Sequence, residues 1–286
     1  MMIKVDDLTY TYPGSDKPVL KGISFGIPEG EIFGFLGPSG AGKSTTQKVL
    51  NGLLRGYSGS VQVNGTDLNH MNRSFYERIG VAFEFPNLYM KLTALENLRL
   101  FASFFKSGTR DPVKLLEMVD LGEDRDSRVE TFSKGMRMRL NFVRALLNNP
   151  EILFLDEPTA GLDPRNARIM KDIILGLQKD GVTVFLTTHH MADADELCHR
   201  IAFMVEGTLP VIDTTQNLKL EHGKKVVRIT HKDQGDSKTT DFSLQDLKGN
   251  LLFQQVIQNH EILTIHTLEA SLEDIFIKVT GLQLIQ

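Results

Sequence analysis

GPSGAGKST, residues 37–45, lies between an apolar run, EIFGFL (31–36), and a segment with helical character, TTQKVLNGLL (45–54). The pattern G-x-x-x-x-G-K-[ST] in that strand–loop–helix setting predicts a phosphate-binding loop. Its glycines allow backbone N–H groups to turn inward around phosphate oxygens. The helix that follows directs its positive end at the same charge. On this reading Gly37, Pro38, Ser39, Gly40, Ala41, Gly42, Lys43, Ser44 and Thr45 bind a nucleoside triphosphate. Lys43 reaches the terminal phosphates and Ser44 ligates Mg²⁺.

Outward from the loop, short apolar runs alternate with helical segments. ILFLDEP (152–158) and VTVFLTT (182–188) have the texture of strands buried on both faces of a parallel sheet. IKVDDLTYTY (3–12) and VLKGISFGI (19–27) alternate apolar and polar residues, as half-buried strands do. Asp163 and Pro164 open a helix that Gly181 stops. These features predict an α/β domain. From about 86 to 135 the texture becomes helical, with a Thr93–Glu96 capping box and an Asp111–Pro112 start. After residue 218, KKVVRIT, TTDFSL and EILTIHT read as short strands. SLEDIFIKVTG (271–281) reads as a helix capped by Ser271 and Asp274, with Leu272, Ile275, Phe276 and Val279 on one face.

ILFLDEP ends in two acids. Beside a phosphate loop, Asp156 is expected to hold the Mg²⁺ shell and Glu157 to act as general base toward a water. The chain has 286 residues, a formal net charge of −4 and one cysteine, Cys198. No basic field argues for nucleic acid, and no cysteine metal cluster can form. Cys198 reads as a small buried residue in a reducing cytoplasm. The N-terminus lacks a secretory pattern, and no apolar run approaches the roughly 20 residues needed to cross a bilayer. A soluble chain is expected, with any membrane role supplied by a partner.

At this point the chain resembles the ATP-binding cassette (ABC) family, in the branch of multidrug and antibiotic-resistance exporters. GPSGAGKST resembles its Walker A loop and ILFLDEP its Walker B strand. AGLDP (160–164) resembles the D-loop, with Asp163 the matching acid. TTHHMADADELCHR (187–200) resembles the switch region, with His189 at the switch position. Tyr12, with Tyr10 the alternative, falls where the family stacks an aromatic ring on adenine.

The resemblance implies a P-loop NTPase of ABC type over residues 1–218. That fold has a mixed sheet core, an antiparallel β subdomain and a helical subdomain at about 86–135. A small α+β extension would occupy 219–286, read here as a stabilising or dimer-supporting appendage. Catalysis would fall to Glu157, His189 and Lys43, with Mg²⁺ held by Ser44, Glu84 and Asp156.

Two positions depart from the family pattern. The signature, usually Leu-Ser-Gly-Gly-Gln, reads Phe132, Ser133, Lys134, Gly135, Met136, and the Q-loop glutamine aligns with Glu84. By the resemblance, Ser133, Lys134, Gly135 and Met136 face the ATP of a second subunit. A head-to-tail homodimer or paralogue heterodimer is therefore implied, driving a separate membrane-spanning permease and lying peripherally on the inner face of the membrane. The permease would dock near FPNLYMKLTALENL (85–98), where Phe85 and Tyr89 are either contact or core residues. In the segment TFSKGMRMRL (131–140) and just beyond, Lys134 and Arg137 would add charge near the phosphate. Leu140, Val143, Ala145 and Leu146 read as packing positions, and Arg139 and Arg144 as solvated charges.

The alternative is a soluble ABC ATPase acting on nucleic acid or the ribosome. It is disfavoured by a single cassette, no long heptad insertion and no basic excess. A regulator without turnover is countered by Glu157 and His189.

Overall fold

The computed structural model describes residues 1–282 except 224, 234 and 269. The final four positions of the expected extension thus lie outside the described residues. The described residues divide into two compact units, Met1–Thr214 and 215–282.

The first unit is built on two sheets. Strands β1 (Ile3–Tyr10), β2 (Leu20–Ile27), β4 (Ser58–Val63) and β5 (Thr66–Asp67) form an antiparallel sheet in the order β2-β1-β4-β5. The second sheet holds β3 (Ile32–Leu36), β6 (Ile79–Ala82), β7 (Ile152–Asp156), β8 (Thr183–Thr188), β9 (Arg200–Val205) and β10 (Thr208–Thr214). Its order is β10-β9-β3-β8-β7-β6, parallel except for the β9–β10 hairpin. Every residue of β3, β7 and β8 is buried, as their continuous apolar sequences require. Phe25 of the antiparallel sheet packs against Phe33, Phe35 and Phe185 of the other, at centroid separations of 5.0–6.5 Å. This aromatic layer joins the sheets and supports the loop that follows β3.

Helices α1 (Lys43–Leu50), α2 (Arg73–Tyr76), α3 (Ala94–Ala102), α4 (Pro112–Met118), α5 (Lys134–Arg144), α6 (Pro164–Lys179) and α7 (Met191–Leu197) complete the unit. The expected Thr93–Glu96 box forms reciprocally, with bonds of 3.1 and 2.8 Å. Cys198 is buried, and a Cβ on Gly34 would lie 2.6 Å from its Sγ. Burial pushes that thiol up, so it stays protonated.

Arg139 and Arg144 are not solvated charges. Arg139 is 7% exposed and donates to the carbonyl of Asp120 at 2.9 Å, tying α5 to the end of α4. Arg144 lies 4.8 Å from the Phe101 ring centroid and donates to the carbonyl of Asn87 at 2.7 Å. Burial pushes its pKa down to about 10. The segments holding α3 and α4 cover faces of α5 that helical periodicity alone leaves outside. Phe85 is exposed rather than core, and Tyr89 is half-exposed beside Phe101. Among the described residues, no helix is long and apolar enough to cross a membrane.

The second unit comprises α8 (Thr215–His222), β11 (Val226–Asp233), β12 (Asp236–Ser243), α9 (Leu251–Asn259), β13 (Ile262–Leu268) and α10 (Leu272–Thr280). Its antiparallel sheet runs β12-β11-β13. Val227, Ile229, Phe242 and Val256 form a small core. Ser271 and Asp274 make the expected capping box; Leu272, Ile275 and Phe276 are buried, with Val279 at the margin of that face.

His231 continues the inward alternation of Val227 and Ile229 and is 2% exposed. Neither ring nitrogen has a hydrogen-bond partner. Leaving a buried polar group unpaired costs about 1–3 kcal/mol. His231→Leu is therefore expected to stabilise this unit by about 1–2 kcal/mol, read from the denaturation midpoint of the full chain. An unchanged or lowered midpoint would refute that account.

Candidate active site

The phosphate loop leaves β3 at Leu36 and enters α1 at Lys43. Gly42 has φ 113°, a backbone state that side chains rarely adopt. A Cβ on Gly37 would lie 2.1 Å from the carbonyl oxygen of Met204 on β9, so glycine is required there. Lys43 folds back over the loop. Its Nζ donates to the carbonyls of Gly37 at 2.6 Å and Pro38 at 3.1 Å, which holds the ammonium in the loop's concavity.

Strand order decides what faces this loop. Because β8 lies between β3 and β7, the carboxyl ends of all three strands converge on one crevice, the usual ligand position of such sheets. Asp156 ends β7. Its Oδ1 accepts from Ser44 Oγ at 3.3 Å and from the Thr187 hydroxyl. Glu157 follows with φ 49°, a strained state for a residue bearing a side chain. Its carboxylate is held by the end of β8: Thr188 Oγ1 donates to Oε2 at 2.9 Å, and the His189 N–H donates to Oε1 at 3.0 Å. His189 Nδ1 lies 2.7 Å from the same Oε1.

A cavity of about 370 Å³ is lined by Tyr12, Val19, Ser39, Gly40, Gly42, Lys43, Ser44, Thr45, Glu84, Asp156, Glu157 and His189. Tyr12 lies within hydrogen-bond reach of Thr45 Oγ1, at 3.1 Å, while Tyr10 is 4% exposed and packs edge-on against Tyr12. Of the two tyrosines, Tyr12 is the one on the cavity. Burial lowers the Lys43 pKa, opposed by the carboxylates of Glu157, Asp156 and Glu84. Three carboxylates and the Ser44 hydroxyl thus meet a single ammonium. That hard oxygen donor set fits a small divalent cation such as Mg²⁺.

Ser133, Lys134, Gly135 and Met136 do not line this cavity. Helix α5 begins at Lys134 because Ser133 is its N-cap and accepts from Met136 N–H at 3.2 Å. Lys134 lies against the AGLDP turn, where a Cβ on Gly161 would come 3.0 Å from its Nζ. Arg137 donates to its own Phe132 carbonyl, at 3.0 and 2.7 Å, so its charge is tied to the start of α5. Asp163 caps α6 through the N–H groups of Arg165 and Asn166, both at 3.1 Å. The Asn166 side-chain hydrogen bond chiefly holds its carboxyl below the usual range.

Thr187 and Thr188 position both acids, Thr187 through Asp156 and Thr188 through Glu157. Their signal in the sequence is a polar pair closing an otherwise apolar strand.

The ABC transporter family profile matches residues 20–160, and the profile of the fluoroquinolone efflux ABC transporter C-terminal domain matches 225–269. A fluoroquinolones export ATP-binding protein of Mycobacterium tuberculosis is 50% identical over 99% of this chain and 94% of its own. A Nod factor export ATP-binding protein of Burkholderia thailandensis is 35% identical over 93% of each chain. Among solved structures, a dimeric post-hydrolysis ATP-binding cassette bound to ADP and Pi superimposes with a TM-score of 0.69 at 28% identity. That match covers 75% of this chain and 99% of the other.

The chain belongs to the ABC transporter family, as one of its nucleotide-binding subunits. It is a P-loop ATPase that binds and hydrolyses ATP, with a cassette architecture like that of the dimeric members.

Proposed function

We propose that this ATPase powers export of an antibiotic of the fluoroquinolone class through a separate membrane-spanning subunit, from the inner face of the membrane. The 50% identity to a fluoroquinolones export protein over nearly the whole chain carries this reading. The C-terminal match at 225–269 supports it from a second segment. The cassette spans 1–218 with its helical part at about 86–135, and 219–286 is a stabilising or dimer-supporting extension.

In the proposed mechanism Lys43 and the loop N–H groups hold the ATP phosphates, and Tyr12 stacks on adenine. Glu157 takes a proton from the attacking water, and His189 contacts the γ-phosphate. Ser44, Asp156 and Glu84 would hold Mg²⁺, which neutralises charge on the phosphate oxygens. Ser133 and Gly135 reach the ATP of a partner subunit beside Asp163, so hydrolysis requires a head-to-tail dimer and its closure is the mechanical step. The exposure of Ser133 and Lys134, outside the cavity lining, supports that arrangement.

The test is coexpression with a candidate membrane-spanning subunit from the same genome. Energised cells are expected to extrude a fluorescent fluoroquinolone, and Glu157→Gln to abolish extrusion. Extrusion unchanged by that substitution would overturn the proposal.

Glu84 adds a carboxylate where the family uses an amide. The native ATPase is expected to rise more steeply with Mg²⁺ than Glu84→Gln does, and superimposable titrations would show that the carboxylate takes no part.

A further inference from the structure

Glu157, one of the three carboxylates of the cavity, also meets His189 and His190. One ligand atom from each lies within 4.8 Å of the others. The neighbouring imidazoles stand on the same side of the chain, with ring centroids 4.2 Å apart. In a continuing strand, successive side chains would point to opposite faces. Here β8 ends at Thr188 and α7 begins at Met191, and the His190 N–H turns back to Thr188 Oγ1 at 3.0 Å. Glu157 is fixed by its bonds to Thr188 and His189, so the carboxylate is preorganised. His190 is exposed and the His189 side chain is 50% exposed, which leaves an entry path and room for water ligands.

We propose that Glu157, His189 and His190 form a binding site for a divalent transition-metal ion, with Zn²⁺ as its representative, and that occupancy blocks ATP hydrolysis. Two imidazoles and one carboxylate with an open fourth position suit Zn²⁺, whereas Mg²⁺ prefers oxygen donors. Tetrahedral ligand bonds of about 2.0–2.2 Å set ligand atoms about 3.3 Å apart, so the 2.7 Å His189–Glu157 contact opens slightly while His190 closes in. Rotation of the exposed His190 ring supplies that movement. The bound ion would take the Glu157 oxygen that otherwise accepts a proton and would hold His189 away from phosphate. The site rests on geometry alone; the block rests on the proposed roles of Glu157 and His189.

Zn²⁺ titrated by calorimetry into the nucleotide-free full chain, with Mg²⁺ in excess, is expected to bind at one tight site. His190→Asn places a favourable residue at the N-cap of α7 and removes one imidazole. It is expected to weaken that site by about tenfold or more. ATPase activity without zinc should be unchanged in this variant, and its inhibition by zinc should move to correspondingly higher concentration. Equal zinc affinity in the two proteins, or absence of the tight site from the native chain, would overturn the metal site. Tight, His190-dependent binding with undiminished ATPase would leave the site standing and overturn the roles assigned to Glu157 and His189.

Discussion

Glu157→Gln is expected to lower the ATPase kcat by roughly 10²- to 10⁴-fold, the usual contribution of a positioned general base. The amide keeps the size of the carboxylate and can still accept one bond from the end of β8. It cannot take a proton from water. The loop, Lys43 and Tyr12 are untouched, so ATP binding and ATP-driven dimer formation should persist and the dimer should live longer. Steady-state turnover and light scattering with and without ATP read the two properties separately. Turnover at the native rate would remove Glu157 from the chemistry. Loss of the ATP-dependent dimer would mean that the Glu157 clamp to Thr188 and His189 serves assembly instead.

Lys43→Met is expected to weaken ATP binding by about thirtyfold or more. Removing one partner of a buried charge pair costs about 2–5 kcal/mol, and each 1.4 kcal/mol is tenfold in Kd. The methionine retains the packed stem, so the loss reports the charge. Without the ammonium, Glu84, Asp156 and Glu157 face the incoming phosphates with no lysine or arginine among the cavity-lining residues. The direction of the Lys43 shift adds a second readout. Burial lowers its pKa, so its positive charge is lost at a lower pH than for an ordinary lysine. ATP affinity of the native chain should therefore fall on strong alkalinisation, and this component should vanish in Lys43→Met. Fluorescent-nucleotide titration checks both; an affinity within threefold of native would exclude the phosphate-binding role.

Much of the fold and of the site is legible along the chain because those features depend on near neighbours. The phosphate loop, the Asp156–Glu157 strand end and the capping residues at Thr93, Asp163 and Ser271 are all set within a few residues. Strands β3, β7 and β8 announce themselves because double-sided burial demands unbroken apolar runs. Strands β4, β5, β6, β9 and β10 carry no such local signal. The residues of β6 and β9 become strand by pairing with partners distant in sequence, as Val81 does with Phe154 and Ala202 with Phe35, and β10 then pairs with β9.

By itself, then, the sequence marked out a phosphate loop carrying a lysine and a hydroxyl, and two acids at a strand end. It also determined, through the spacing of its apolar residues, that these sit on an α/β scaffold. Only the tertiary structure decided that β8 inserts between β3 and β7, so that Thr188 and His189 grip Glu157 and bring His190 alongside. Only packing decided that Arg139 and Arg144 lie against neighbouring segments instead of in water. The reason is common to both: a local pattern states which face of an element is apolar, but what covers that face depends on segments tens of residues away.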